Sequence, residues 1–268
     1  NDLMQRCKKF TFEHSIKTKK HLSHHFLHDL NITQKIVKSL PETADAIIEI
    51  GPGTGVLTQY MIEKENFKAF DIDTESIDFL KEKYPNHAHK ISFQDFLEAD
   101  LDKIMDGKSY NVIGNFPYNI STQIMFKVLE NRNNIPYVVG MFQKEVAQRL
   151  AEKPGSKTYG ILSVLLQAYY KIEYLFTVPE QVFTPPPKVK SGVIRLTRND
   201  VKKLNCDEDL FFKVVKASFN QRRKTIRNSV KVLTGNNTVD CIYLDKRAEQ
   251  LSVKEFVELT NAISNSIH

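Results

Sequence analysis

Short apolar runs, rich in β-branched residues, alternate with amphipathic stretches along most of this chain. Runs of that length and composition are typical of buried parallel strands. They cover residues 46–50, 68–71, 90–93, 110–114 and 137–142. Helical spacing of apolar residues predicts helices between them, the first capped by Asn31, at 31–40, 56–64, 75–83, 121–130, 145–151 and 159–168. This alternation predicts a doubly wound α/β sheet.

The last third of the chain departs from this alternation. Residues 170–178 and 190–197 are predicted to form a β-pair at the end of the sheet. Only helices are predicted afterwards, near 208–218, 222–233, 240–249 and 253–266. Ser252 and Glu255 have the spacing of a capping box for the last one. We therefore expect a small all-helical C-terminal domain beyond a boundary near 198–206.

A glycine-rich turn follows the first predicted strand. Gly51-Pro52-Gly53-Thr54-Gly55 has the position of the nucleotide-binding corner of a Rossmann-like sheet. Val56 stands where the dinucleotide fingerprint has its third glycine, and no Lys followed by Ser or Thr forms a P-loop. A turn that serves a ligand without phosphate groups suits S-adenosylmethionine, whose amino-acid tail can meet backbone groups there.

Acidic residues follow the next two predicted strands. Asp71 lies where acids of Rossmann-type sites accept hydrogen bonds from ribose hydroxyls. Asp95 follows the third strand and could accept a hydrogen bond from an adenine amino group. Each acid alone could equally be a helix cap or a solvated turn residue. Because the carboxyl ends of parallel strands share one crevice, their order along the chain favours a common nucleoside site.

The segment Asn115-Phe116-Pro117-Tyr118 follows the fourth predicted strand. The Asn115 side-chain oxygen and the backbone carbonyl before Pro117 are two acceptors at a fixed spacing, with an aromatic ring beside them. The exocyclic amino group of a nucleobase presents two N–H donors, and an extruded base is held by stacking. A turn with proline at its second position would have a similar sequence, so the tetrapeptide alone leaves both interpretations open.

Further motifs extend these segments into a family resemblance. They lie at 143–150, 159–164, 183–191, 219–228 and 247–252. The chain resembles the KsgA-type small-subunit ribosomal RNA adenine N6-dimethyltransferases over nearly all of its length. The three prolines followed by Lys188 and the Arg-Arg-Lys-Thr segment at 222–225 are the more specific signals. The first 18 residues are polar and aperiodic, which predicts a flexible N-terminal arm over 1–18. The resemblance implies a Rossmann-like S-adenosylmethionine-dependent methyltransferase domain over 19–200 and a helical RNA-binding domain over 201–268.

The resemblance also implies an activity and its residues. Methyl groups would pass from S-adenosylmethionine to N6 of two adjacent adenosines, twice each, in the 3′-terminal hairpin loop of small-subunit (16S) rRNA. The implied cofactor residues are His25, Leu27, Glu49, Gly51, Gly53, Asp71, Ile72, Asp95, Phe96 and Asn115. Asn115 and Pro117 would hold the target amino group, with Tyr118 and Phe183 stacked on the base. Ser23 and His24 depart from the Gly-Gln pair that the family has before this site.

Basic residues are expected to contact the RNA. The net charge of +6 is a modest excess that supports this expectation without establishing it. The implied contacts are Lys19, Lys20, Lys188, Arg222, Arg223, Lys224 and Arg227. A run of cations on a helix can equally be a solvated face. The expected partner is the rRNA of an immature small ribosomal subunit, and we expect a monomer that binds neither DNA nor membrane.

The cysteine spacing and the lengths of the apolar runs predict a cytoplasmic protein. Cys7, Cys206 and Cys241 have neither metal nor redox spacing, so we expect a reducing cytoplasm. We find no apolar run of about 18 residues and no charged-then-apolar leader, so neither a membrane span nor a secretory signal is expected. The histidines between 21 and 28 could share one helical face, but no cysteine completes a metal-binding set, and we expect no metal.

Two alternative functions stay open at this point. Methyltransferases of the erythromycin-resistance type resemble this chain but modify large-subunit rRNA, and the three prolines with Tyr159-Gly160 favour the small-subunit enzyme. A non-catalytic ribosome-assembly factor could keep the fold. The intact tetrapeptide at 115–118 argues against this second alternative. The departure of Ser23-His24 from the family's Gly-Gln pair slightly favours it.

Overall fold

The structure, a computed structural model, describes residues 25–268. The predictions for the arm over 1–18 and for Lys19, Lys20, Ser23 and His24 lie outside the described residues and stay predictions. Within the described part, the chain divides into two compact units. One contains residues 25–147 and Ile172–Arg198, and the other contains Gln148–Lys171 and Asn199–His268.

This division differs in one segment from the single boundary expected near 198–206. The change at Asn199 falls within that range, but Gln148–Lys171 groups with the C-terminal helices. Hydrogen bonds explain the grouping, because the Asn199 N–H donates to the carbonyl of Tyr169 and the Gly155 N–H to that of Glu249. Because these bonded residues are far apart in the sequence, the local pattern of apolar and polar residues could not predict that 148–171 groups with the C-terminal helices. The assignment of catalysis to one domain and RNA binding to the other stays a prediction.

Nine strands form two sheets within residues 25–268. They are β1 (Phe26–Leu27), β2 (Ile47–Ile50), β3 (Phe67–Asp71), β4 (Ile91–Phe93), β5 (Asn111–Asn115), β6 (Tyr137–Gln143), β7 (Tyr170–Val178), β8 (Phe183–Thr184) and β9 (Ser191–Arg198). The large sheet has the order β4-β3-β2-β5-β6-β9-β7. Its first five strands pair in parallel, and β9 is antiparallel to β6. The doubly wound sheet and the β7–β9 pair are therefore confirmed.

Burial explains why the parallel strands read as continuous apolar runs. All four residues of β2 and the first four of β5 are buried, so both faces of these central strands are covered. Ile47, Ile113 and Val139 belong to the main apolar core of this unit. A small antiparallel sheet of β1 and β8, which the sequence did not predict, pairs Leu27 with Phe183.

Helices fill the intervals between strands and most of the C-terminal third. They are α1 (Leu30–Val37), α2 (Thr74–Lys83), α3 (Leu101–Ile104), α4 (Ser121–Glu130), α5 (Lys144–Ala151), α6 (Ile161–Gln167), α7 (Glu208–Asn220), α8 (Ile226–Ser229), α9 (Lys231–Thr234) and α10 (Val253–Ile267). Shorter 3₁₀ turns lie at Thr58–Tyr60, Pro85–Lys90, Arg132–Asn134, Glu180–Val182 and Ala248–Gln250. The predicted capping box of α10 is confirmed, since Ser252 and Glu255 bond each other's backbone N–H groups.

Two predictions near the glycine turn are wrong. The first helix is capped by Asp29 and not by Asn31, because the Asp29 carboxylate accepts hydrogen bonds from the N–H groups of Asn31 and Ile32. The helix expected over 56–64 is a series of turns with one 3₁₀ segment at Thr58–Tyr60. The apolar positions there pack into the core without continuing the i to i+4 ladder of an α-helix.

Two helices predicted in the C-terminal unit are also largely wrong. The segment 222–233 contains only the short helices α8 and α9, and 240–249 is mostly turn. The N–H groups of Ile226 and Arg227 donate to the carbonyls of Lys246 and Leu244. These hydrogen bonds join two segments of the chain, and they use N–H and carbonyl groups that two continuous helices would need for their own i to i+4 bonds.

Candidate active site

The carboxyl ends of β2, β3, β4 and β5 surround one cavity. Adjacent parallel strands bring the segments that follow them to the same edge of a sheet. The lining residues are His25, Phe26, Leu27, Glu49, Ile50, Gly51, Pro52, Gly53, Thr54, Val56, Leu57, Phe70, Asp71, Ile72, Gln94, Asp95, Phe96, Asn115, Phe116, Pro117, Tyr118 and Ile120. All the predicted cofactor residues and three of the four predicted catalytic residues are in this set.

The glycine turn brings backbone to the cavity wall. Gly51 and Gly53 have φ of +68° and +57°, a left-handed conformation that favours glycine. A Cβ on Gly53 would lie 3.3 Å from the Phe26 ring, so a side chain there would crowd the lining. The turn therefore leaves the space above β2 open to a ligand that contacts main-chain groups.

Glu49 is among the lining residues and is 1% exposed. Its Oε1 accepts a hydrogen bond of 2.6 Å from the Thr58 hydroxyl. Burial raises the pKa of this carboxyl from 4.5 to about 8, and the nearby Asp71 carboxylate adds to the rise while Thr58 opposes it. Below about pH 8, a buried acid of this kind ionises readily only when a positive charge enters the cavity.

Two further carboxylates face the cavity from the next strands. Asp71 accepts hydrogen bonds from the N–H groups of Gly53 and Asp73, which fix its side chain across the glycine turn. Asp95 accepts one from the Leu97 N–H through a single oxygen. The apolar side chains of Ile72 and Phe96 lie beside them in the lining. This mixture of hydrogen-bond acceptors and apolar surface fits a nucleoside.

Phe116 anchors the segment 115–118 from below. Its ring is buried and packs edge-on against Phe142, with 5.2 Å between ring centroids. Room for this ring exists because Gly114 and Gly140 have no side chain: an added Cβ would lie 2.9 Å and 2.3 Å from the Phe116 ring. Phe116, whose backbone carbonyl is the second predicted acceptor, is therefore anchored in the core by its side chain.

Replacement of Gly140 by alanine is expected to displace this anchor. The new methyl group would overlap the Phe116 ring, and overpacking of this kind costs about 1–3 kcal/mol of folding free energy. The shift would also move Asn115 and Tyr118, so methyl transfer should fall in the folded variant. Chemical denaturation measures the first effect. Gly160→Ala is the control for an added methyl group, because its φ of −145° suits any residue and a Cβ built there lies no nearer than 3.4 Å to neighbouring atoms.

The Asn115 side chain is oriented by the segment that precedes β1. Its Nδ2 donates to the backbone carbonyl of His25 at 3.2 Å. A carbonyl can only accept, so this bond identifies the amide nitrogen and turns the amide oxygen away from His25. Both residues line the cavity, and the amide oxygen stays available as an acceptor for a ligand.

Tyr118 is held at its hydroxyl and beside its ring. The hydroxyl lies 2.6 Å from that of Ser191, and the His25 ring lies 5.8 Å from the Tyr118 ring at a tilt of 34°. His25 Nδ1 is in turn 2.8 Å from the carbonyl oxygen of Pro185. Three segments distant in sequence thus meet around one ring.

The structure places Phe183 elsewhere than its predicted stacking role requires. The side chain is 2% exposed and lies in the apolar core, paired across the small sheet with Leu27. Successive side chains of a strand point to opposite faces, so Thr184 is exposed while Phe183 points inward. This ring does not line the cavity.

The five predicted RNA-binding cations that the structure describes differ in their surroundings. Arg222 is partly buried and donates to the backbone carbonyls of Lys157 and Tyr159 at 2.6 and 2.8 Å, with its guanidinium 5.2 Å from the Phe219 ring centroid. Arg227 forms an exposed ion pair with Asp245. Arg223, Lys224 and Lys188 are exposed side chains. The geometry therefore gives Arg222 a packing role in place of the predicted phosphate contact.

Comparison with known proteins decides the family. A model of the ribosomal RNA adenine dimethylase family matches residues 15–265 of the chain. The chain belongs to the ribosomal RNA adenine dimethylase family. The family and fold that the motifs predicted are thus confirmed.

Relatives of this dimethylase match it over almost their whole length. The ribosomal RNA small subunit methyltransferase A of Cytophaga hutchinsonii is 59% identical over 254 residues, which cover 93% of this chain and 98% of the relative. The protein of the same name from Bacteroides thetaiotaomicron is 54% identical over 259 residues, with 94% and 96% covered. A dimethyladenosine transferase from Plasmodium falciparum shares the fold, with a TM-score of 0.76 at 22% identity, over 90% of this chain and 98% of that one.

Within residues 25–268, no helix is both long and apolar enough to cross a bilayer. In the same range, His, Cys, Asp and Glu side chains form no cluster of three or more that could hold a metal ion. Of the histidines considered as ligands in the sequence, His25 and His28 are described.

Sequence reasoning missed three residues that shape the dimethylase cavity. Thr58 was part of a predicted helix, Gly140 part of a buried strand, and Ser191 the last residue of a family motif. Each acts through a side chain or a space that meets a residue distant in sequence. The signal for Gly140 was a glycine inside a strand, which often marks a close approach.

Proposed function

We propose that this chain dimethylates N6 of two adjacent adenosines in the 3′-terminal hairpin loop of small-subunit rRNA, with S-adenosylmethionine as methyl donor. The observation that carries the proposal is the orientation of Asn115 beside Tyr118, in the lining of a cavity that also contains three carboxyl groups. The relatives named as small subunit methyltransferases support this choice of RNA over large-subunit rRNA.

The lining fits S-adenosylmethionine in charge and shape. The donor carries positive charge at its sulfonium and amino groups, and Glu49 is a buried carboxyl whose ionisation such charge would favour. Asp71 would accept hydrogen bonds from ribose hydroxyls, and Asp95 from the adenine amino group. Gly51 and Gly53 would admit the amino-acid tail, with Ile72 and Phe96 against the adenine ring.

The segment 115–118 would hold the target adenine. When bound, S-adenosylmethionine supplies an electrophilic methyl group. Asn115 Oδ1 and the carbonyl that precedes Pro117 would accept the two N–H groups of the adenine amino group, directing its nitrogen lone pair at that methyl. Tyr118 would stack on the extruded base. Displacement at a methyl carbon needs alignment above all, so positioning is the main contribution of these residues.

The deciding experiment uses purified small ribosomal subunits that lack the modification. Incubated with this protein and S-adenosylmethionine, their rRNA should gain two methyl groups on each of two adjacent adenosines, as read by mass spectrometry of nuclease fragments. Large-subunit RNA serves as the parallel substrate. Methylation of large-subunit RNA alone would overturn the proposal, and binding of subunits without methylation would favour an assembly factor.

Neighbouring cations provide a test of the RNA surface. Arg223→Ala and Lys224→Ala are expected to weaken RNA binding and to reduce the slope of log K against log salt by about 1 each, since each removes one phosphate contact. Arg222→Ala is the matched control. It should leave the salt slope unchanged and lower the unfolding free energy by about 1–3 kcal/mol, because it removes two charge-assisted hydrogen bonds to backbone carbonyls, one of them that of the buried Tyr159. Filter binding at several salt concentrations measures the slopes, and equal slopes for all three variants would contradict the assignment.

A further inference from the structure

Tyr118 depends on a buried serine for its orientation. We propose that Ser191 is a positioning residue of the base site, because its hydroxyl fixes the Tyr118 ring as the stacking surface for the target adenine. The inference rests on the proposed function and adds to it a residue outside the cavity lining.

The bond between these residues is short and partly buried. The two hydroxyl oxygens are 2.6 Å apart, the lower end of the usual range for O–H···O bonds. Ser191 is fully buried, and Tyr118 is partly exposed at the cavity. Burial raises the pKa of Tyr118, so its phenol keeps its proton at neutral pH and the bond stays between two neutral hydroxyl groups.

Ser191 is a rigid point of attachment. It is the first residue of β9 and pairs with Gln143 of β6 in the antiparallel ladder. The neighbouring residues are also hydrogen-bonded, since the Lys144 N–H donates to the Lys190 carbonyl at 2.9 Å. The hydroxyl therefore sits on the sheet, whereas Tyr118 belongs to a turn.

The remaining ring contact cannot replace this bond. His25 lies beside Tyr118 with 5.8 Å between centroids, a contact without a directional hydrogen bond. The bond at the ring tip restricts the swing of the ring about χ1, and the neighbouring His25 ring limits its rotation about χ2. A phenylalanine at 118 would offer a similar stacking area, so the hydroxyl adds orientation and not surface.

A double-mutant cycle tests the inference. Ser191→Ala and Tyr118→Phe should each lower kcat by about 10- to 100-fold through misplacement of the base, with the KM for S-adenosylmethionine unchanged. The double variant should lose no more than either single variant, because both remove the same bond. Ser218→Ala is the control for loss of a buried serine hydroxyl, since Ser218 donates only within α7 to the Val214 carbonyl, and its kcat should equal that of the wild type.

A second readout does not depend on turnover. An RNA with 2-aminopurine at the target position reports stacking of the extruded base through its fluorescence. Ser191→Ala should change that fluorescence in the complex while leaving the RNA Kd unchanged. Wild-type fluorescence, or losses in kcat that multiply in the double variant, would overturn the role of Ser191. Absence of methyl transfer by the wild type would instead overturn the proposed function, and the fluorescence would still decide the inference.

Discussion

Replacement of Asn115 by alanine is expected to lower methyl transfer by about 100- to 1,000-fold while RNA affinity stays nearly unchanged. The variant loses the amide oxygen that would accept from the adenine amino group and the Nδ2–H that holds the His25 carbonyl. It removes no positive charge, so the electrostatic part of RNA binding should persist. Single-turnover methylation and filter binding at one salt concentration measure the two quantities.

A second asparagine on the same strand provides the control. Asn111 lies at the opposite end of β5, and its Nδ2 donates to the Ala46 carbonyl. Asn111→Ala should therefore lower stability without changing the rate of methyl transfer per folded molecule. Equal loss of RNA affinity and methyl transfer in Asn115→Ala would contradict the proposal that Asn115 positions the adenine amino group and makes no phosphate contact.

Stability should fall as pH rises, because of Glu49. Burial raises its pKa from 4.5 to about 8. Between these values the unfolded chain has released this proton and the folded chain retains it, so the unfolding free energy decreases with pH by about 1.4 kcal/mol per unit. Below pH 4.5 both states hold the proton and above about pH 8 both have lost it, so the loss is confined to that window.

Glu49→Gln isolates this contribution. Glutamine keeps an acceptor for the Thr58 hydroxyl and carries no charge at any pH. The variant should equal the wild type near pH 5 and exceed it by a few kcal/mol near pH 8. Urea denaturation at several pH values, without cofactor, measures the difference. Glu82→Gln changes an exposed carboxylate on α2 and should leave the pH profile unaltered, and a profile of Glu49→Gln parallel to the wild type would refute the argument.

Much of the cofactor side could be predicted from sequence because it depends on strand ends. A glycine turn after β2 and acids at the carboxyl ends of β3 and β4 must share one edge once the strands are parallel, so Asp71 and Asp95 line one cavity without any knowledge of packing. The same reasoning placed Asn115 at the carboxyl end of β5. Apolar periodicity was likewise sufficient for α4 and α10, whose bounds follow their amphipathic patterns.

Prediction failed where distant contacts override local pattern. The stretch 56–64 has helical periodicity, yet Thr58 bonds Glu49 and the backbone follows a series of turns. Arg222 stands in a basic run that suggests solvent or phosphate, yet its donors serve the backbone of 157–159. The inward face of Phe183 depends on pairing with β1, and nothing in its own motif encodes that direction.

The pairing of β1 with β8 has a consequence for synthesis of the chain. The two strands bring together residues such as His25 and Pro185, which are 160 positions apart. All five parallel strands leave the ribosome before Phe183 does, and contacts of such long range form late in folding. The segment at 25–27, which lines the cavity, can therefore take its place only after residues 183–185 have been synthesised, so one wall of the cavity is completed after the strands that form the others.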